Sequence, residues 1–297
     1  MILINKKNEL VGHKAGIYAI CPEVDGFIYS GGVDKHVIRW DINNFENSKI
    51  LIKSTEAIYS LYYNNDRHLI FIGTSSGKIH IIDLIQKKEI KLLKSHTDKI
   101  FEFKLFNSSI ISVSADGNLA FTDLNTLKTE YIFKISNEKI RSIDIKDNLA
   151  VIACGDSTIK AIDLNNKTIL NSFIAHKKSC NVVKFHPTEN LILSGGWDAN
   201  LKVWSTNYDL LKSIPAHNYA IYSIEFSPDK SMFATGSRDK SIKIWEASNI
   251  EFPKSITYEN QKGHQFSVNR IFWDQSSGDL VSASDDKKIM IWEIRKS

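Results

Sequence analysis

Five histidines in this chain, His13, His96, His176, His217 and His264, are each followed by a hydroxyl residue and, four positions after that, by an aspartate. The sets are Ser30 with Asp34, Ser112 with Asp116, Ser194 with Asp198, Thr235 with Asp239, and Ser282 with Asp286. Histidine, serine and aspartate held together are the groups of nucleophilic acyl transfer, in which the imidazole takes the hydroxyl proton and the carboxylate orients the ring. Repetition argues against that chemistry. A hydrolase needs one triad beside one oxyanion hole and one pocket, and five copies spread along a chain serve no single reacting centre. Six positions after the aspartate stands Trp40, Trp204, Trp245 or Trp292 in four of the sets, with Thr122 in the remaining one, so each set reads as part of a repeated structural unit.

Other constellations offer less. His176, Cys180 and His186 could be drawn as metal ligands, but His176 already belongs to the repeat and Cys180 fills an apolar strand position. No phosphate-cradling G-x-x-x-x-G-K or G-x-G-x-x-G occurs. The run Asp285, Asp286, Lys287, Lys288 reads as a turn that carries one repeat aspartate among solvated charges. The expectation is therefore no enzyme, no metal and no cofactor.

The elements that position these residues recur. VIRWD, IHIID, LAFTD, IKAID, LKVWS, IKIWE and IMIWE are one theme written seven times, and aligning them on Trp40, Ile82, Thr122, Ile162, Trp204, Trp245 and Trp292 gives spacings of 42, 40, 40, 42, 41 and 47 residues. Six residues before each anchor stands an aspartate, or Ser76 in the second unit, at a place suited to a tight turn. Apolar and polar residues alternate with period two within each unit, and Gly or Asp turns interrupt them every eight to twelve residues. Each unit thus reads as short antiparallel strands, with helical periodicity nowhere.

An ordered Gly-His, Ser/Thr, Asp, Trp series in phase over seven units resembles the WD-repeat β-propeller family (WD40), across essentially the whole chain. The resemblance implies an all-β fold: one domain over residues 1–297, a seven-bladed β-propeller of four-stranded antiparallel blades. It also implies that the Asp bonds the His and that the His links through Ser or Thr to the Trp ring nitrogen. Only Glu293 to Ser297 follow Trp292, whereas Asn8 to Val11 sits where a fourth strand sits in other units, so the N-terminal strand is expected to complete blade seven. The long last spacing places an insertion around Ile250 to Gln261 in the turn after the third strand. Blade two has Ile72 and Ser76 and no His, blade four keeps only Asp156, and blade three has Thr122 for Trp, so blades two to four are expected to be the softer half.

In a propeller the loops entering the first strand and joining the second to the third open on one face, around the channel mouth, and proteins similar to this one often bind partners there. Five residues after each His or its equivalent come Tyr18, Tyr59, Phe101, Arg141, Asn181, Tyr222 and Asn269, and just before two of the turn aspartates come Trp197 and Arg238. Tyr, Trp and Arg are enriched at interface hot spots. One reading packs some of these aromatics between blades, as Phe103, Phe185, Phe226 and Phe272 are expected to pack; the other makes them a pocket for a peptide or protein segment, with Arg141 and Arg238 suited to acidic or aromatic ligands.

Composition bounds the alternatives. With 297 residues, 42% hydrophobic and 24% charged, the chain is that of an ordinary globular protein able to bury a large core. Its 38 basic and 34 acidic residues are interspersed, with no polybasic stripe, so nucleic acid is not the expected partner. Ile2 to Ile4 give way at once to Asn5, Lys6 and Lys7, too short for a secretory h-region, and Leu69 to Gly77 is too short to span a bilayer. Cys21, Cys154 and Cys180 form no paired framework and no C-x-x-C. Together these lead to a cytoplasmic, non-membrane, monomeric adaptor that holds a protein or peptide partner. The competing readings are an enzyme with a site at the channel mouth and a Lys-mediated nucleic-acid binder.

Overall fold

The computed structural model describes residues 2–23, 26–42, 44 and 48–296. Met1 and Ser297, the ends of the expected range, lie outside the described residues. The strands form seven four-stranded antiparallel sheets in sequence order, each running from an inner strand outward. Every inner strand begins with a side chain removed from solvent: Ile17, Ile58, Ile100, Ile140, Cys180, Ile221 and Val268 are all 0% exposed. These residues anchor the contact with the preceding blade. Gly31 and Gly195 on second strands leave the room for it, since a Cβ there would lie 2.5 Å from Ile58 Cγ2 and 2.6 Å from Ile221 Cγ2.

The core is a ring rather than a ball. Each of seven apolar clusters draws on two adjacent blades, from Tyr29 with Ile70 between blades one and two to Phe272 with Ile38 between blades seven and one. Closure is made by strand Ile2–Val11, which pairs with Lys288–Lys296 as the outer strand of blade seven. The pairing is longer than the expected Asn8 to Val11, running from Val11 opposite Lys288 to Ile2 opposite Lys296 across one irregularity between Lys6 and Asn8.

Two features correct the sequence reading. The extra residues of blade six are not confined to one turn: a longer connection leads from Ile242–Glu246 to a three-residue outer strand, Lys254–Ile256, and the remainder forms a one-turn helix, Tyr258–Gln261. A helix of four residues carries no periodicity, so hydrophobic patterning could not find it. Its local signal is the capping box, in which the Thr257 side chain accepts from the Asn260 backbone N–H and the Asn260 side chain accepts from the Thr257 N–H.

A second backbone feature positions the candidate site. Each inner strand carries a register irregularity directly after its buried first residue: between Ile17 and Ala19, Ile58 and Ser60, Ile100 and Glu102, Ile140 and Ser142, Cys180 and Val182, Ile221 and Ser223, and Val268 and Arg270. The residue skipped is in turn Tyr18, Tyr59, Phe101, Arg141, Asn181, Tyr222 and Asn269. A bulge leaves one residue outside the ladder and re-aims its side chain. Seven such bulges at equivalent places turn seven side chains towards one axis.

Candidate functional site

The His–Ser–Asp sets are built as hydrogen-bond networks sealed from solvent. His13 Nδ1 lies 2.9 Å from Asp34 Oδ2 and its Nε2 2.7 Å from Ser30 Oγ, while Trp40 Nε1 donates to the same hydroxyl at 2.7 Å. His176 with Asp198, Ser194 and Trp204 repeats the pattern at 2.8, 2.9 and 2.9 Å, as does His264 with Asp286, Ser282 and Trp292 at 2.8, 2.8 and 2.9 Å. His217 uses Asp239, Thr235 and Trp245 at 3.0, 2.8 and 3.0 Å, and adds Ser241 at 3.1 Å from the same Nδ1. The tryptophan N–H can only donate, so the hydroxyl passes its own proton to Nε2 and the Nδ1–H is left for the carboxylate. Ser30, Ser112, Ser194, Thr235 and Ser282 are all 0% exposed, which no nucleophile meeting a substrate could be.

The degenerate blades resolve the missing members differently. In blade four Ser136 stands at the His position and donates to Asp156 at 2.9 Å. In blade two Ser76 and Lys78 both bond Glu56. Blade three keeps His96 at 3.1 Å from Asp116 and 2.8 Å from Ser112, but Thr122 in place of tryptophan leaves its buried Oγ1 without a partner.

The network sets a pH dependence. Burial holds the imidazoles of His13 and His217 below their ordinary pKa despite the adjacent carboxylates. Burial would raise Asp116, but its bond to His96 and backbone N–H groups hold it down at about 2, and Asp34, Asp198, Asp239 and Asp286 are likewise lowered. Both kinds of shift leave the unfolded chain binding more protons, so stability rises with pH. Thermal melting is expected to be level between about pH 7 and 8 and to fall first below about pH 6.5, as unfolded histidines protonate. It should fall again below about pH 4, as unfolded aspartates do. A melting temperature that rises between pH 7 and 5.5 would contradict this assignment.

On the axis, eight of the nine residues expected at the binding face line one cavity of about 300 Å³: Tyr18, Tyr59, Phe101, Arg141, Asn181, Tyr222, Arg238 and Asn269, joined by Ser267, Arg270 and Asp285. Trp197 is not in the lining; its ring, 39% exposed, lies beside the cavity with the Arg238 guanidinium 5.3 Å from its centroid. Through blades one to four the side chains touch in series. Tyr18 and Tyr59 have ring centroids 4.9 Å apart, Tyr59 meets Phe101 edge-on at 6.0 Å, and Arg141 lies 4.8 Å over Phe101. Burial holds the Tyr18 phenol above its usual pKa, and Asp285, Tyr59 and Tyr222 add to that.

The two amides do structural work as well. Asn269 Nδ2 donates to Ile17 O at 2.9 Å and to Asp285 Oδ1 at 2.8 Å, and Asn181 Nδ2 donates to Ile221 O at 3.1 Å, in each case tying one inner strand to the next. Inner strands are sheet edges, and their channel-facing backbone groups need partners. Deeper in the channel this need is met by charge, which the sequence reading missed. Lys104, Asp144, Lys184 and Glu225 each stand three residues after a bulge residue on consecutive blades. Lys104 bonds Asp144 at 3.0 Å, Lys184 pairs with Glu225 at 2.8 Å, and Asp144 Oδ2 also accepts from Phe185 N at 2.9 Å. Burial opposes ionisation of Asp144, but Lys104 and then Lys184 keep its carboxyl below the ordinary range. The available signal was a charged residue at one fixed offset, three after the bulge position, in four consecutive units. The expected packing of Phe103, Phe185 and Phe272 is observed, with Phe226 partly buried against a neighbouring cluster.

Comparison with known proteins agrees with this architecture. The family model described as WD domain, G-beta repeat matches residues 5–41, 167–205, 208–246 and 256–293, just over half of the chain. These are the blades with a complete His, Ser or Thr, Asp and Trp set, and the unmatched stretch is that of blades two to four. Among relatives, Myosin heavy chain kinase C of Dictyostelium discoideum is 27% identical over 148 residues, 49% of this chain and 18% of that protein. Autophagy-related protein 16 of Arabidopsis thaliana is 25% identical over 205 residues, 67% of this chain and 40% of its own length. The chain thus spans less than half of these relatives. The crystal structure of the WD40 beta propeller domain of Doa1 superimposes with a TM-score of 0.86 at 17% identity, covering 98% of this chain and 97% of that one, a likeness of fold.

Proposed function

The chain belongs to the WD40-repeat family, whose propellers are generally non-catalytic protein-interaction scaffolds, and on that footing we propose that it is an adaptor that binds a peptide or protein segment at the mouth of its central channel. One observation carries the reading: Tyr18, Tyr59, Phe101 and Arg141, on four successive blades, form one continuous half-buried arc around a cavity large enough to take side chains of a partner. Aromatic and arginine side chains held in place around a concave site are what interface hot spots are made of. Three reduced, buried cysteines suit a protein that works inside the cell as a monomeric disc. No charge stripe favours nucleic acid; partner binding through the arc should weaken only mildly with salt, where phosphate-backbone binding would fall steeply.

The test is a Tyr59→Ala, Phe101→Ala double substitution. Truncating central anchors commonly costs about 2 kcal/mol or more of binding, roughly 30-fold, so co-purifying proteins should be lost while the melting temperature stays near that of the parent. Unchanged recovery of every co-purifying protein by a well-folded double variant would refute the site, and a large drop in melting temperature would return both rings to the core.

A further inference from the structure

Three of the chain's six arginines, Arg141, Arg238 and Arg270, converge on the channel-mouth cavity. None pairs with a carboxylate, whereas Arg39 and Arg295 elsewhere bond Glu23 and Glu293 at 2.5 Å. Arg270, from blade seven, reaches across the channel to donate to Phe101 O on blade three at 2.5 Å, which makes it the floor of the cavity and leaves its other donors unused. The Arg141 guanidinium lies 4.8 Å from the Phe101 ring centroid, and its buried Nε has no hydrogen-bond partner among the described residues. On the next blade, at the equivalent bulge position, Asn181 is 4% exposed; its Nδ2 is committed to Ile221 O and its Oδ1 is left without a partner.

Buried polar groups are ordinarily satisfied, and here an unmade donor and an unmade acceptor belong to residues at equivalent positions on adjacent blades of one cavity. A fully ionised inorganic anion could answer the arginine but not the amide oxygen, which needs a hydrogen-bond donor. A peptide answers both. Resting on the binding reading above, we propose that this cavity selects a peptide carrying an anionic side chain, whose carboxylate or phosphate oxygens are held by Arg141 and Arg270 while a peptide N–H donates to Asn181 Oδ1. The Arg141 guanidinium is held against the Phe101 ring at the cavity wall, and an arginine so placed can grip an oxyanion with two parallel bonds.

The electrostatics agree with that assignment. Burial, and behind it Arg270, work against the charge on Arg141, and Arg141 in turn is the first cause that lowers the Lys139 ammonium. Lys99 adds a further cation 6.0 Å from the Tyr59 ring. Asp285 is the one carboxylate in the lining, and it is engaged by Asn269 on the blade-seven side. Lys99 is paired with Asp98 at 3.4 Å and Glu138 offsets Lys139, which leaves Arg141 and Arg270 as the like charges that an incoming anion would relieve.

The probes are three capped pentapeptides with glutamate, phosphoserine or glutamine at the centre and tyrosine on either side, titrated against the full chain by fluorescence anisotropy. Both anionic peptides should bind at least tenfold more tightly than the glutamine peptide, and Arg141→Gln should erase that difference. Phosphoserine above glutamate points to a phosphorylated partner, and the reverse to an acidic one. Because Arg141 makes no hydrogen bond within the fold, Arg141→Gln should melt at or above the parent temperature; a clear fall would make it a structural residue and overturn the proposal. Equal affinity for all three peptides, no binding of any at millimolar concentration, or an anion preference that survives Arg141→Gln would overturn it as well. If the Tyr59, Phe101 double variant still loses its partners in that event, the adaptor reading stands and only the anion selectivity falls; if it keeps them, both fall.

Discussion

Removal of residues 2–11 is expected to cost the propeller most of its net stability and to drive it into aggregates. That strand is the outer edge of blade seven, with nine residues paired to Lys288–Lys296. It buries Leu10 to 2% and Ile2 to 7% exposure, and full burial of each such side chain contributes about 1.5 to 3 kcal/mol. Those two side chains alone account for about 3 to 6 kcal/mol, against a net stability of about 5 to 15 kcal/mol for an ordinary folded chain. Glu9 adds ion pairs to Lys6 at 2.6 Å and Lys288 at 2.5 Å; burial would raise its carboxyl, and the two lysines hold it below the usual range. The deletion also leaves the Lys288–Lys296 strand as an unpaired edge, a template for pairing with other chains. Leu10→Ala separates the two effects: it keeps the edge covered, so it should destabilise by about 2 to 5 kcal/mol without aggregating. Thermal denaturation with size-exclusion chromatography reads both, and a truncated chain that melts and elutes like the parent would show that the ring does not depend on this closure.

Much of this architecture could be read from the sequence because a repeat supplies its own controls. Comparing seven versions of one unit separated Asp239, present with its partners, from Asp156, present without them. It also puts Tyr59, Phe101 and Arg141 at one equivalent position of the repeat. What could not be read is why that position faces the axis. The cause is a bulge in every inner strand, a backbone irregularity that shifts register without leaving a mark in the alternation of apolar and polar residues. Nor did the pattern show that Asn269 spends both its amide donors on Ile17 and Asp285, or that Arg270, which occupies no singled-out repeat position, crosses the channel. Those facts depend on how far a long side chain reaches across a ring of a given width, which only the closed structure fixes. Trp197 and Arg238 share the place before a turn aspartate, yet only Arg238 lines the cavity, with the Trp197 ring 5.3 Å from its guanidinium, a difference of side-chain direction that position in the repeat does not carry.

The second large effect is graded, and the grading is what identifies the network. Asp286 is the sole partner of His264 Nδ1, at 2.8 Å, and also accepts from the backbone N–H groups of Gln265 at 3.1 Å and Lys288 at 3.1 Å. Asp286→Ala therefore strands a buried imidazole N–H, a loss that costs about 1 to 3 kcal/mol, and removes the acceptor of a part-buried backbone N–H as well. Asp239→Ala strands a similar set, but Ser241 Oγ already stands 3.1 Å from His217 Nδ1 and can accept that proton, so its loss should be smaller. Asp156→Ala comes last: its partners are the hydroxyls of Ser136 and Thr158, a backbone N–H and the Lys160 ammonium at 3.6 Å, which also bonds Ile135 O; its side chain is 31% exposed, and water can replace it. Loss of charge alone does not predict this order, since all three substitutions remove one carboxylate. Nor does loss of volume, which is the same in each. Denaturant titration of the three variants should give Asp286→Ala as the most destabilised and Asp156→Ala as the least, with unchanged dependence on denaturant concentration. Three equal losses would mean that the aspartates act only as turn formers, through the N–H two residues on, a bond that Asp286, Asp239 and Asp156 share.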